Sequence, residues 1–80
     1  MARVTRARMN DEADYLEGVA ARQSDEAAVD ADQAARASTY DEDRALNRRL
    51  AANARSNARE YRTQADILRA GEIPEGYRFD

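Results

Sequence analysis

The fold of this chain is decided by residues 39–71, which read TYDEDRALNRRLAANARSNAREYRTQADILRAG. Between Gly18 and Gly71 there is neither a glycine nor a proline, and alanine, arginine, glutamate, glutamine and leucine dominate. These residue types favour helices, whereas glycine and proline interrupt them. The stretch therefore predicts a long α-helix, and the chain is predicted to be all-α.

The predicted helix has recognisable ends. Thr39-Tyr40-Asp41-Glu42 has the spacing of a capping box, so Ser38 and Thr39 are predicted to separate this helix from an earlier one. At the other end, Gly71 can adopt the left-handed conformation that closes a helix, and Pro74 prevents continuation. We therefore predict a helix over residues 39–70 and a short non-helical tail over residues 71–80.

Charge divides the chain into two halves. Residues 10–43 contain eleven acidic residues and two arginines, whereas residues 44–69 contain seven arginines and two acidic residues. Asn10 is predicted to cap an acidic helix over residues 10–38, with Asp11 and Glu12 at the positive end of its dipole. Residues 1–9 contain three arginines and no acid, and are predicted to form a basic N-terminal arm.

The two helical halves are predicted to form a two-helix antiparallel hairpin within one small domain. Two alternatives remain open at this point. Ser24-Asp25-Glu26 is a second cap sequence that would divide the acidic half and give three helices. A single uninterrupted rod from Asp11 to Ala70 is the other alternative.

The core available to such a domain is thin. Of the hydrophobic residues, eighteen are alanine and only ten are leucine, isoleucine, valine or phenylalanine. Because so little large apolar surface is available, we expect the protein to self-associate and to fold more firmly when it does. At 100° per residue, the apolar stripe of the first helix is predicted to contain Ala13, Leu16, Ala20, Ala27, Ala31 and Ala34.

The second helix combines an apolar stripe with a row of arginines. The stripe is predicted to contain Leu46, Leu50, Ala54, Tyr61, Ala65 and Leu68, with Asn57 and Gln64 at its edge. The Arg row consists of Arg44, Arg48, Arg55, Arg59, Arg62 and Arg69. It is predicted to face away from the first helix and to contact a partner through carboxylates or phosphates, which guanidinium groups bind well.

The tail contains the remaining large apolar residues. Ile73, Tyr77 and Phe79 surround a Pro/Gly turn after the helix has ended. These side chains are predicted to contact a partner, because aromatic residues concentrate binding energy, or else to fold back over the end of the hairpin.

Composition limits the chemistry that this chain can perform. It has no histidine and no cysteine, so the common metal sites and the nucleophile pairs of hydrolases are absent from the sequence. No glycine-rich phosphate loop is present either, because only Gly18, Gly71 and Gly76 occur. We therefore expect neither catalysis nor a cofactor.

The function predicted from these features is protein–protein contact, either with a partner protein or in a homo-oligomer, by a small accessory or structural protein. Nucleic-acid binding through Arg3, Arg6, Arg8 and the Arg row is the alternative. No apolar run has the length of a membrane span, so we expect a cytoplasmic protein and no membrane contact. All thirteen basic residues are arginine, which predicts a GC-rich bacterial genome or a phage of such a host.

Overall fold

The computed structural model describes residues 3–79, so the first two residues of the predicted arm and Asp80 of the predicted tail lie outside it. The described residues form helices and contain no strand, which confirms the all-α prediction. α1 spans Arg6–Tyr15, a π-helical turn spans Leu16–Ala20, α2 spans Ala21–Ala37 and α3 spans Asp41–Arg69. α1, the π turn and α2 follow one another without a break and together make the first long helix; α3 is the second.

The first helix begins four residues earlier than predicted. Its N-cap is Thr5, whose hydroxyl accepts a hydrogen bond from the Arg8 backbone N–H at 3.1 Å, so the prediction of Asn10 as the cap was wrong. Residues 6–9 of the predicted basic arm are therefore helical. A threonine before a run of good helix formers supplies the same cap earlier in the chain.

A π-helical turn lies inside the first helix. The N–H of Ala21 bonds to the carbonyl of Leu16, five residues earlier instead of four. One extra residue is thereby inserted into the turn, which contains Gly18. Every side chain after this turn is shifted by one position relative to a regular α-helix. The helix then continues through Ser24-Asp25-Glu26, so the alternative of three helices was wrong.

The break between the long helices lies at residues 38–40, where it was predicted, which also rules out the single rod. The N-cap of α3 is Tyr40 and makes no side-chain capping bond, so the predicted capping box is not formed. Three acidic residues in the first turn of α3 interact favourably with the helix dipole instead. The loop is closed by Arg44, whose guanidinium donates to the Ser38 carbonyl at 3.0 Å.

The predicted helix end at Gly71 is confirmed. Gly71 has a φ of 86°, and its N–H bonds to the Leu68 carbonyl, while the Glu72 N–H bonds to the Ile67 carbonyl at 3.1 Å. This pair of bonds is the Schellman arrangement, which satisfies carbonyls that the helix end would otherwise leave unpaired.

The two long helices lie side by side in opposite directions. Near the loop an ion pair joins Asp32 to Arg55, and near the chain ends another joins Asp14 to Arg69. The result is a rod of 54 × 20 × 19 Å. Alanine makes up most of its interior; the buried hydrophobic residues are Met9, Ala13, Leu16, Ala21, Ala28, Ala35, Ala51, Ala58, Ala65 and Leu68.

Buried alanines recur every seven residues on both helices. Seven residues make about two helical turns, so such a series stays on one side of a helix. On α2 the series is Ala21, Ala28 and Ala35, and on α3 it is Ala51, Ala58 and Ala65. Small side chains on both surfaces let the helix axes approach closely.

The apolar stripe predicted for the first helix is right before the π turn and wrong after it. Ala13 and Leu16 are buried as predicted. Beyond Gly18 the buried positions are Ala21, Ala28 and Ala35, each one residue later than the predicted Ala20, Ala27 and Ala34, and Ala31 is only half-buried. The extra residue of the π turn accounts for the shift, because the prediction assumed an uninterrupted α-helix.

The stripe predicted for α3 is right near the chain ends and wrong near the loop. Ala65 and Leu68 are buried, whereas Leu46 and Leu50 are each 49% exposed. The interior near the loop is instead made by Ala51, which is fully buried, and by half-buried Asn47. α3 is rotated about its axis so that its arginine side lies closer to the first helix. This rotation places Ala51 and Asn47 between the helices and leaves Leu46 and Leu50 exposed.

Replacing Gly71 by alanine is expected to lower the free energy of unfolding by about 1–3 kcal/mol, the cost of a non-glycine residue in the left-handed region. A Cβ at this position would also lie 2.5 Å from the Arg6 guanidinium, which must then move away from the Arg69 carbonyl that it contacts. Urea denaturation measures the change.

Gly18→Ala is the matched control for this substitution. A Cβ at Gly18 meets no atom within 4 Å, so its stability should be unchanged or raised by up to about 1 kcal/mol. Equal losses in the two variants would contradict the role assigned to Gly71.

Candidate functional site

Half of the Arg row contacts the first helix. Arg55 and Arg62 form ion pairs with Asp32 and Asp25, and Arg69 contacts both Asp14 at 3.0 Å and Glu17 at 2.7 Å. The prediction that the row faces away from the first helix was therefore wrong for these three residues. Opposite charges on the two halves are brought together because the helices are antiparallel.

The pairing perturbs both members of the central ion pair. The hydrogen bond from Arg62 lowers the pKa of the Asp25 carboxyl below its ordinary value, and the positive charge of Arg62 acts in the same direction. The pKa of Arg62 is raised by the same hydrogen bond. Arg69 is likewise raised in pKa, first by its hydrogen bond to Asp14. These ion pairs fix the orientation of α3 about its axis relative to the first helix.

The other members of the Arg row lie at the loop or in solvent. Arg44 contacts Asp41 at 3.1 Å and closes the loop through Ser38. Arg48 and Arg59 are exposed. The row is therefore not one continuous surface for a partner, because four of its six guanidinium groups contact other residues of the chain.

The ends of the chain meet at the end of the rod opposite the loop. Tyr77 donates its hydroxyl to the Glu12 carboxylate at 2.7 Å, and its ring meets Phe79 edge-on at 5.0 Å between centroids. Arg8 lies over the Phe79 ring at 5.6 Å. Together with Val4, these rings pack against the buried residues Met9, Ala13, Leu16, Ala65 and Leu68.

This arrangement separates the three predicted tail residues. Tyr77 and Phe79 fold back onto the hydrophobic core, as one of the two predictions for the tail proposed. Ile73 does not join them and is 52% exposed, although its neighbour Pro74 is buried. The aromatic side chains thus cover the end of the rod, and only Ile73 remains available for a contact.

An open groove of about 290 Å³ lies between the two helices, on the side opposite the ion pairs of Asp25 and Asp32. Two tyrosines, Tyr15 and Tyr61, line it together with three alanines and three polar uncharged residues. Its lining residues are Tyr15, Ala20, Gln23, Ser24, Ala27, Ala54, Asn57 and Tyr61. None of them carries a charge.

The groove belongs to a longer surface that carries no basic residue and few acidic ones. Ala34 follows Ala27 by seven residues, and Leu50 precedes Asn57 by seven, so each lies on the groove side of its helix. We call this surface the uncharged face; it comprises Tyr15, Val19, Ala20, Gln23, Ala27, Ala34, Leu46, Leu50, Asn53, Asn57, Tyr61 and Gln64. Three acidic residues lie at the same seven-residue spacing: Asp30 follows Gln23, Glu60 follows Asn53, and Asp43 precedes Leu50 near the loop.

Several of the exposed large apolar residues lie on the uncharged face. Tyr15, Val19, Leu46 and Leu50 are all there, with between 38% and 55% of their surface exposed. Such a concentration on one side is typical of a surface that contacts another chain. The uncharged face is thus the strongest candidate for a binding surface.

The sequence prediction missed this face, although a signal for it was present. Ala-Ala pairs begin at residues 20, 27 and 34, which is a seven-residue repeat on the first helix. Arg48, Arg55, Arg62 and Arg69 have the same spacing on α3. A projection at seven residues per two turns, in place of 100° per residue, aligns these series and separates the charged side from the uncharged one.

Neither a metal site nor a membrane span is found in the part of the chain that the structure describes. Within residues 3–79, no three acidic side chains are grouped closely enough to hold a metal ion. No helix in the same range is both long and apolar enough to cross a bilayer.

No protein-family model, curated protein or solved structure matches this chain.

Changing Asp25 to asparagine is expected to lower the melting temperature at neutral pH, because the carboxylate that pairs with Arg62 is lost. A carboxyl whose folded pKa is lowered contributes stability above its unfolded pKa, and loses that contribution as the pH falls through the folded pKa. The difference between variant and wild type should therefore vanish in acid. Thermal melts at a series of pH values measure it.

Glu26→Gln is the control for this change, because Glu26 pairs with Arg22 of the same helix at an exposed position and, within residues 3–79, with no group of α3. Its melting temperature should stay close to that of the wild type throughout. A difference for Asp25→Asn that persists in acid would show that the ion pair is not its cause.

Tyr77→Phe is expected to lower the free energy of unfolding by about 1–2 kcal/mol, because the hydrogen bond to the Glu12 carboxylate is lost while the ring is retained. Ile73→Ala, at an exposed position of the same tail, should change it by about 0.5 kcal/mol or less. Chemical denaturation compares the two. A larger loss from Ile73→Ala would contradict the packing described for the tail.

Proposed function

We propose that this protein is a small helical accessory or structural protein that acts by protein–protein contact, and that the uncharged face is its contact surface. The observation that carries the proposal is the position of Leu46 and Leu50, which are half exposed one turn apart beside an open, uncharged groove. Covering these two half-exposed leucines with another chain lowers the free energy by an amount on the order of 1 kcal/mol each.

The proposed surface differs from the one predicted from the sequence. Four members of the Arg row contact other residues of the chain, and two of the three predicted tail residues pack on the core. These groups stabilise the arrangement of the helices. Of the residues predicted to contact a partner, three remain exposed, and they lie outside the uncharged face: Ile73, Arg48 and Arg59.

Nucleic-acid binding has less support in the geometry. Arg6 donates to the Arg69 carbonyl at 3.0 Å, and Arg8 pairs with Glu12 at 3.3 Å, so much of the basic arm is committed within the chain. The acidic residues of the first helix also lie close to the Arg row, which reduces the positive potential available to phosphates. Protein contact is the better proposal for this reason.

A photo-crosslinking amino acid at position 34 tests the proposal in cells that carry the native protein. Ala34 is exposed on the uncharged face, and its neighbour Gln33 is exposed about 100° further around the helix, away from that face. Irradiation is expected to yield a discrete protein adduct from position 34 and none from position 33. Equal labelling from both positions, or labelling from position 33 alone, would contradict the proposal.

A further inference from the structure

The uncharged face carries both a protrusion and a groove. Leu46 and Leu50, one helical turn apart, form the protrusion. The groove lies at Asn57 and Tyr61, which follow Leu50 by seven and eleven residues along α3. Leu50 and Asn57 are therefore about 10 Å apart along the helix, at 1.5 Å per residue.

We infer that two copies of this chain pack uncharged face against uncharged face, antiparallel to one another, with Leu50 of each copy in the groove of the other. The inference rests on the proposed function and names the partner as a second copy. A twofold axis that crosses α3 near Asn53 and Ala54 exchanges the height of Leu50 with that of Asn57. This rotation therefore places the protrusion of each copy in the groove of the other, as a symmetric interface requires.

The surface area supports this occupant. The chain exposes 6025 Å², whereas a compact monomer of its mass, 9.0 kDa, is expected to expose about 4,900 Å². The excess of roughly 1,200 Å² reflects the elongated shape of the rod, and a standard stable interface needs only about 800 Å² on each partner. A second rod of the same length covers such an elongated surface evenly and gives a four-helix bundle.

The distribution of charge points to the same face. A twofold interface brings each surface against a copy of itself, so a row of like charges would meet its own copy and be repelled. The opposite side of the rod, with Arg55, Arg62 and their acidic partners, stays in solvent in this arrangement. Asn53 and Asn57 lie on the uncharged face, where polar groups at a helix interface favour one register over others.

Sedimentation equilibrium of the purified chain is the first test. We expect a mass twice the 9.0 kDa of one chain, and a shift to the monomer mass in Leu50→Glu. Ser56→Glu, at an exposed position away from the face, should leave the dimer unchanged. If Leu50→Glu sediments as a dimer, the inference is overturned. Circular dichroism shows whether each variant remains helical.

Cysteine crosslinking tests the register and does not depend on a disruptive charge. The sequence contains no cysteine, so single Leu50→Cys and Asn57→Cys chains can be mixed after one is given a tag of different mass. Disulfides between the two variants should exceed those within either one, because each cysteine lies about 10 Å along the helix from its own copy. Preferential self-crosslinking of Leu50→Cys would indicate a parallel dimer and overturn the inference.

The proposed function and this inference fail in different ways. A chain that sediments as a monomer, but still forms an adduct with a different protein from position 34, overturns the inference and leaves the proposed function standing. Absence of any adduct together with a monomeric mass overturns both.

Discussion

Close contact between alanine-lined helices is the constraint on which this structure depends. Each buried alanine contributes little area, so the helices gain enough contact only if the same side of each faces the other along the whole rod. Ala21, Ala28 and Ala35 on one helix and Ala51, Ala58 and Ala65 on the other keep that side by their seven-residue spacing. The π turn serves this constraint, because without its extra residue Ala13 and Leu16 would not share a side with Ala21.

Ion pairs between the two helices select one rotation of α3 about its axis, which the alanine contact alone specifies only weakly. A seam of alanines tolerates several rotations of one helix, since small side chains interlock less than large ones. Arg55, Arg62 and Arg69 reach carboxylates of the first helix only when α3 is turned toward them. That rotation moves Leu46 and Leu50 away from the first helix. The stabilisation of the single chain and the exposure of its two leucines thus have one cause.

The two ends of the rod are closed by different chemistry. Near the loop, the contacts are polar, with Arg44 donating to the Ser38 carbonyl. At the opposite end, Tyr77 and Phe79 cover the buried cluster that contains Met9, Leu16 and Leu68. Because both ends and one long side are satisfied within the chain, the uncharged face is the part of the surface where further burial has most to add. The proposed function follows from that asymmetry.

Local features of the sequence determined the helical class, the break at residues 38–40 and the helix end at Gly71, because helix propensity and left-handed glycine act over a few neighbouring residues. The buried side of each helix was decided by tertiary structure. A helical projection at 100° per residue could not predict the π turn at Leu16–Ala20. The shift in register that this turn causes stabilises the helix only when a partner helix packs against it. Nor could it anticipate that Ala51 would be buried in place of Leu50. That choice depends on the close approach of two helices and on carboxylates distant in sequence, which no periodicity within one helix records.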